Sequence, residues 1–163
     1  MRSVSLIRLV VLVLLAAPWV SAPLARAAYF PLSDRELLAA SDLVVDAIVR
    51  EQTSHWNEDH SLIFTTVTLD VLQTLYSRRA SAGQVVRIVV LGGEVGDVGL
   101  VVEDTPRFRV GERAVVFIAP WTKGRNVVAG GELGWIAVDP SGRLIGRAIS
   151  VDGFAAHLRM LSR

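Results

Sequence analysis

Residues 63–75 read Ile-Phe-Thr-Thr-Val-Thr-Leu-Asp-Val-Leu-Gln-Thr-Leu, and their alternation of apolar and polar side chains decides the fold class. The apolar side chains share odd positions: Ile63, Val67, Leu69 and Val71. The polar ones share even positions: Thr66, Thr68 and Asp70. Because successive side chains of a β-strand point to opposite faces, this period of two predicts a half-buried strand.

The segment before this strand predicts its partner. Residues Leu43–Val49 are apolar and β-branched, and only Asp46 breaks the pattern. The polar stretch Thr53–Ser61 separates the two runs, which is typical of an antiparallel hairpin with a long loop.

Further strand signals follow at short spacing along the chain. They lie at Gln84–Leu91, Leu100–Glu103, Ala114–Ala119, Val127–Ala129, Trp135–Val138 and Leu144–Arg147. No helical pattern of adequate length lies between successive strands, which argues against a parallel sheet with crossover helices. The sequence therefore predicts a mostly β fold, a single small antiparallel barrel or barrel-like sandwich.

Two helices are predicted to flank this sheet. Ser33-Asp34-Arg35-Glu36 has the spacing of a capping box, which favours a short N-terminal helix over 34–41. A C-terminal helix is expected from about Asp152, where apolar residues recur at helical spacing: Phe154, Leu158 and Leu161.

The first 27 residues indicate export. Arg2 and Arg8 precede an apolar run over Leu9–Val20, and the segment ends with Ala25-Arg26-Ala27. These features are typical of a cleaved signal peptide, and the apolar core is too short for a membrane span. We expect cleavage near Ala27 and a mature single domain over 28–163 that is periplasmic or secreted, without a membrane anchor.

Composition narrows the chemistry. The chain of 163 residues contains no cysteine, which excludes disulfides, thiolate metal sites and cysteine nucleophiles and favours a bacterial envelope over an animal secretory origin. Without the three arginines of the leader, 14 basic residues face 16 acidic ones, a formal net charge of −2. This balance gives no support for a nucleic-acid partner.

A glycine-rich loop over Gly92–Gly99 is the most conspicuous local pattern. Gly93, Gly96 and Gly99 recur every third residue, but a predicted strand follows where a phosphate cradle would need a helix. The glycines favour a strongly curved connection that requires positive φ. The alternative interpretation is that the three glycines contact a ligand.

The densest polar cluster is His55-Trp56-Asn57-Glu58-Asp59-His60. A loop that folds back on itself could bring His55, Asp59 and His60 onto a divalent metal ion. The alternative is a solvated hairpin tip with Trp56 packed at its base. Neither the H-E-x-x-H motif nor the calcium-loop pattern is present.

These observations favour contact over catalysis. No G-x-S-x-G or S-x-x-K motif is present, and exposed Trp56 and Trp121 would suit a partner surface, although either could instead cap the barrel. We expect an exported, non-enzymatic binding or interaction module, without a cofactor, whose partner is another envelope or extracellular protein. The alternatives are an inhibitor or accessory domain of an exported protease, and a metal-dependent hydrolase that uses the 55–60 loop.

Five segments together resemble an uncharacterised family of exported bacterial proteins. They are Ser41–Val45, Trp56, Thr65–Leu72, Gly92-Gly93 and Phe108–Phe117. The family's strand plan is similar to the small barrels of the OB and netrin/tissue-inhibitor type, and the resemblance covers roughly residues 33–160. Tissue inhibitors of metalloproteinases chelate zinc through an N-terminal cysteine, and this chain has no cysteine that could do so.

Overall fold

The computed structural model describes residues 32–78 and 83–163, so the predicted signal peptide lies outside the described residues. The helices are α1 (Asp34–Ala40) and α2 (Val151–Leu161). The strands are β1 (Leu43–Trp56), β2 (Ile63–Ser77), β3 (Val85–Leu91), β4 (Gly93–Val95), β5 (Val98–Leu100), β6 (Arg113–Pro120), β7 (Asn126–Val128) and β8 (Trp135–Ala137). The prediction of a mostly β fold with a C-terminal helix is confirmed.

The main sheet is antiparallel throughout, with strand order β3-β2-β1-β6-β7. Strand β8 pairs with the first half of β6, and β4 and β5 form a separate hairpin. The predicted apolar strand at Ala114–Ala119 is central, as expected. No β-ladder joins β3 to β7 within residues 32–78 and 83–163, so the strands do not form a fully hydrogen-bonded ring.

The first half of β1 and its partner β6 are buried on both faces. Their inward side chains fill an inner core with those of β2 and β3, Phe108 and Val128 of β7: Val45, Ala47, Val49, Val67, Leu69, Val86, Ile88, Phe108, Ala114, Val116, Ile118 and Val128. Their outward side chains pack under the two helices in an outer core that includes Leu37, Leu38, Val44, Val115, Phe117, Phe154 and Leu158. Val67, Leu69 and Val71 of β2 contribute to the inner core, as the alternation predicted. Leu75, beyond the irregularities in the β1–β2 register, packs in the outer core instead.

Three boundaries differ from the predictions. Strand β1 continues to Trp56, which pairs with Ile63, so the predicted long loop is a turn over 57–62. Polar side chains at 53–55 suggested a loop because they lie where β1 extends beyond β6 and faces solvent. The predicted strand at Leu100–Glu103 is instead β5, and Leu144–Arg147 contributes one isolated bridge, from Leu144 to Val138.

The break in the apolar pattern at Asp46 is a buried ion pair. The Asp46 side chain is 2% exposed, and Arg113 donates to both of its carboxylate oxygens, from Nε at 2.9 Å and from Nη2 at 2.7 Å. This bond raises the pKa of Arg113. The pair links the two central strands, β1 and β6. A carboxylate buried without a partner would be costly, so burial of Asp46 depends on Arg113.

We expect Arg113→Met to lower the free energy of unfolding by about 2–4 kcal/mol, because it leaves the Asp46 carboxylate buried and unpaired. Arg109→Met, at an exposed position, is the matched control and should change stability by about 0.5 kcal/mol or less. Urea unfolding at neutral pH measures both. Equal stability of the two variants would contradict the argument.

Helix α1 begins with the predicted capping box. Glu36 N–H donates to the Ser33 hydroxyl at 3.3 Å, and Ser33 N–H donates to the Glu36 carboxylate at 2.7 Å. The Ser33 hydroxyl also donates to that carboxylate, and this bond is the main cause of the lowered pKa of Glu36. Asp34 then ties α1 to the C-terminal region: its carboxylate accepts from Arg147 at 2.6 Å and lies 3.2 Å from His157 of α2.

Ser33→Ala should destabilise the protein by about 1 kcal/mol and should raise the pKa of Glu36 towards its ordinary value. A carboxyl whose pKa is lowered by folding stabilises the native state at neutral pH and loses that contribution as the pH falls through its folded pKa. The deficit of the variant should therefore shrink in acid. Thermal unfolding from pH 7 to pH 3 checks this, with Ser33→Thr as the variant that keeps the cap.

Candidate functional site

An apolar groove of about 370 Å³ lies where β3 and β7 approach each other. We call it the Trp121 groove, and its walls include Leu62, Phe64, Leu91, Pro106, Trp121 and Val127. Among the described residues that line it, Asp104 carries the single ionisable side chain. Apolar concave surfaces of this kind are typical of binding sites.

Aromatic rings form one end of the groove. The ring of Phe64 on β2 lies 5.9 Å from that of Trp121, and the ring of His55 on β1 stacks on the ring of Phe64 at 6.5 Å. Trp121 is 41% exposed. Its backbone is fixed by the tight β6–β7 turn, in which Trp121 N–H donates to the carbonyl of Arg125 at 2.7 Å. The backbone that carries the indole is therefore fixed by the turn, and the side chain packs on Phe64 while it stays partly exposed.

The outer edge of β3 borders the same groove. Gly92 N–H donates to Ile63 O of β2, and antiparallel pairing alternates between bonded and non-bonded positions along the strand. Counting back from Gly92, the main-chain groups of Arg87, Val89 and Leu91 point away from β2. They point towards β7, which lies within 8 Å of β3 although no β-ladder joins the two strands in the described residues.

One side chain joins the two edges. Asn126 Nδ2 on β7 donates to the carbonyl oxygen of Arg87 at 3.1 Å. Val89, which is buried, and Leu91 line the Trp121 groove.

A second cleft, of about 380 Å³, lies on the other side of the Thr105-Pro106 segment. Gly93 and Gly99 line it, together with Gln52 and Arg107. The two clefts share residues of β3 and of this segment. The glycine-rich loop and Trp121, which the sequence singled out separately, therefore line adjoining clefts.

Different structural constraints require glycine at positions 93 and 96 of this loop. A Cβ on Gly93 would lie 2.2 Å from Thr65 Oγ1 and 2.4 Å from Ser54 Oγ, and its φ is +130°. Gly96, with a φ of +60°, takes the first position of the two-residue turn between β4 and β5, as a type II′ hairpin requires. It lies at the hairpin tip, outside the lining of either cleft.

His55, Asp59 and His60 do not converge. His55 packs on Phe64, whereas the ring of His60 stacks on Trp56 at 6.2 Å across the hairpin turn. Asp59 accepts from the Ser61 hydroxyl at 2.7 Å, and this bond lowers the pKa of Asp59. Within 32–78 and 83–163 no group of three or more His, Asp or Glu side chains is arranged to hold a metal ion. Trp56 is half-buried at the base of the turn and is not part of the Trp121 groove.

Sequence reasoning identified Trp121 but missed the residues that face it. Phe64, Leu91 and Val127 lie in runs that the pattern assigned to strands. Nothing in their spacing shows which face is left uncovered. Phe64 was the available signal. It is an aromatic residue on the even face of β2, which was predicted to be polar, and an apolar side chain there indicates a second contact surface.

Comparison with known proteins adds no family. No family model matches the chain, and neither the curated proteins nor the solved structures include a significant match. The resemblance to exported bacterial proteins therefore stays a prediction. In the part of the chain that the structure describes, none of the helices has the length and hydrophobicity that crossing a bilayer would require.

Gly93→Ala should destabilise the protein by about 1–3 kcal/mol, because the added methyl group would overlap two hydroxyl oxygens and the backbone has positive φ. Gly99→Ala is the control: its φ is not positive, and its Cβ would meet only Glu94 Cγ at 3.5 Å and a backbone oxygen at 4.0 Å. Thermal unfolding compares the two. A Gly93→Ala protein as stable as Gly99→Ala would show that the close approach does not require glycine.

Proposed function

We propose that this protein is an exported, non-enzymatic binding module and that the Trp121 groove is its contact surface. The observation that carries the proposal is an apolar groove with aromatic walls, which lies where β3 and β7 approach each other and which includes a partly exposed tryptophan. The groove would anchor an apolar group of another envelope or extracellular protein. Its lining offers side chains for contact, with Asp104 as the one ionisable group among the described residues.

The proposed architecture is a barrel of the OB or netrin type. Read as a ring, the strands follow the order β1-β2-β3-β7-β6, which is the order of a five-stranded OB barrel. The bond from Asn126 to Arg87 supports closure between β7 and β3. Barrels of this type bind ligands on the β2–β3 face and on the loops that follow strands 1 and 4.

The location of the Trp121 groove agrees with that rule. Phe64 and Leu91 come from β2 and β3, Leu62 comes from the β1–β2 turn, and Trp121 begins the β6–β7 turn. The rule concerns position on the barrel and leaves the ligand open, since many functions share such folds.

Trp121 is the residue of the groove that we expect to contribute most to the binding free energy. A large aromatic side chain contributes strongly when a partner covers it, and interface tryptophans are over-represented among residues whose removal costs about 2 kcal/mol or more. Trp121 is held by a tight turn before any partner binds. Little conformational entropy would therefore be lost on binding.

The test is capture of partners from the organism's own cell envelope by the mature protein. We expect Trp121→Ala to reduce the amount of captured partner at least tenfold, in line with the loss of about 2 kcal/mol of binding free energy. Met160→Ala, an exposed apolar site on α2, is the matched control and should capture as the wild type does. Thermal unfolding verifies that both variants fold.

Two outcomes would overturn the proposal. Undiminished capture by a folded Trp121→Ala variant would place the contact surface elsewhere. Turnover of a substrate in a broad hydrolase screen, abolished by a single polar substitution, would make the protein an enzyme. Capture of an exported protease, with inhibition of that protease, would specify the partner and favour the inhibitor hypothesis.

A further inference from the structure

The Trp121 groove has an aromatic end and an acidic end, placed by the two turns that flank β7. Trp121 lies in the turn before β7, where its N–H donates to Arg125 O at 2.7 Å. Asp104 lies against the turn after β7, because its carbonyl accepts from Glu132 N–H at 2.8 Å. The three residues of β7 extend over about 10 Å. The two ends of the groove would therefore contact different side chains of an occupant.

Three carboxylates lie at the acidic end. Asp104 lines the groove, Glu103 precedes it in the chain, and Glu132 is bonded to it through the backbone. All three residues are exposed, and within 32–78 and 83–163 none of them forms an ion pair. Arg107, the basic residue nearest to them in sequence, lines the second cleft and not this groove. This end of the groove therefore carries negative charge that no basic side chain of its lining offsets among the described residues.

We propose that the Trp121 groove takes a basic segment of the partner protein, with an apolar side chain at the Trp121 end and an arginine at the Asp104 end. This inference rests on the proposed function and names the chemistry of the partner. Apolar contact would supply the anchor, and complementary charge would select the partner and fix the orientation of its segment.

An arginine suits the acidic end in two ways. Its alkyl stem can lie on apolar walls such as Pro106 and Val127 while the guanidinium stays in water at the rim. Its planar head can also meet a carboxylate with two hydrogen bonds. An acidic residue of a partner at this position would bring like charges together and weaken binding.

The backbone that carries the Asp104 carboxylate is closely packed. Asp104 has a φ of +59°, and a Cβ on Gly131 would lie 2.4 Å from Asp104 O. Asparagine, like aspartate, is among the residues that adopt positive φ most readily. Asp104→Asn therefore removes the charge and keeps both the shape and the backbone conformation.

The test uses blocked seven-residue peptides in which a leucine and an arginine are three or four positions apart. Matched peptides carry glutamate, or the neutral citrulline of similar shape, in place of the arginine. We expect an arginine peptide to bind at least tenfold more tightly than its glutamate counterpart, with citrulline between them and with smaller differences at high salt. Titration of the ¹⁵N-labelled mature protein measures the affinities and shows whether the signals of Trp121 and Gly131 shift.

Three variants identify the groups responsible. Asp104→Asn should reduce the preference for arginine over citrulline by about threefold, as expected for an exposed ion pair, and should leave the affinity for the citrulline peptide unchanged. Trp121→Ala should weaken the binding of all the peptides. Asp97→Asn, in the β4–β5 turn and outside the lining of the groove, is the matched charge control and should change neither quantity.

Four results would overturn the inference. They are equal binding of the arginine and glutamate peptides, a preference for arginine that Asp104→Asn leaves intact, binding of none of the peptides, and self-association of the protein through the groove. If one of them occurs while Trp121→Ala still reduces envelope capture, the binding function stands and only the basic segment is wrong. If Trp121→Ala leaves capture unchanged, the proposed function itself fails.

Discussion

The structure depends on one constraint: the first half of β1 and its partner β6 are buried on both faces. Val44 and Val45 are adjacent in sequence, and each is fully buried in a different core. Val115 and Val116 repeat this arrangement on the partner strand. A one-residue slip of the register would exchange the side chains of the two cores, so the pairing is strongly specified.

The ion pair between Asp46 and Arg113 lies within this doubly buried ladder. A carboxylate at that depth is stable only while the guanidinium meets both of its oxygens. A slipped register would separate the two groups and leave a buried charge unpaired. The ion pair therefore favours the same register of β1 and β6 as the apolar packing does, because any other register would leave a charge unpaired.

The groove depends on how β7 and β8 share their partner strand β6. Strand β6 pairs with β7 along its second half and with β8 along its first half, and a turn over 129–134 separates the two. A Cβ on Gly134 would lie 1.9 Å from Ala129 O, so this sharp turn requires glycine. Strand β7 is only three residues long, and in the described residues no β-ladder joins it to β3. The Trp121 groove lies where these two strands approach each other.

The sequence by itself determined the alternation of β2, the apolar run of β6, the capping box at Ser33 and the two helices, because each depends on neighbours within a few residues. It also marked Asp46 and Trp121 as exceptions to their surroundings. Only the tertiary structure decided that Arg113 neutralises Asp46, since the two are 67 residues apart. It also decided that Phe64 and Leu91 line one groove with Trp121, because which strand lies next to which is fixed by packing of the whole chain and leaves no local pattern.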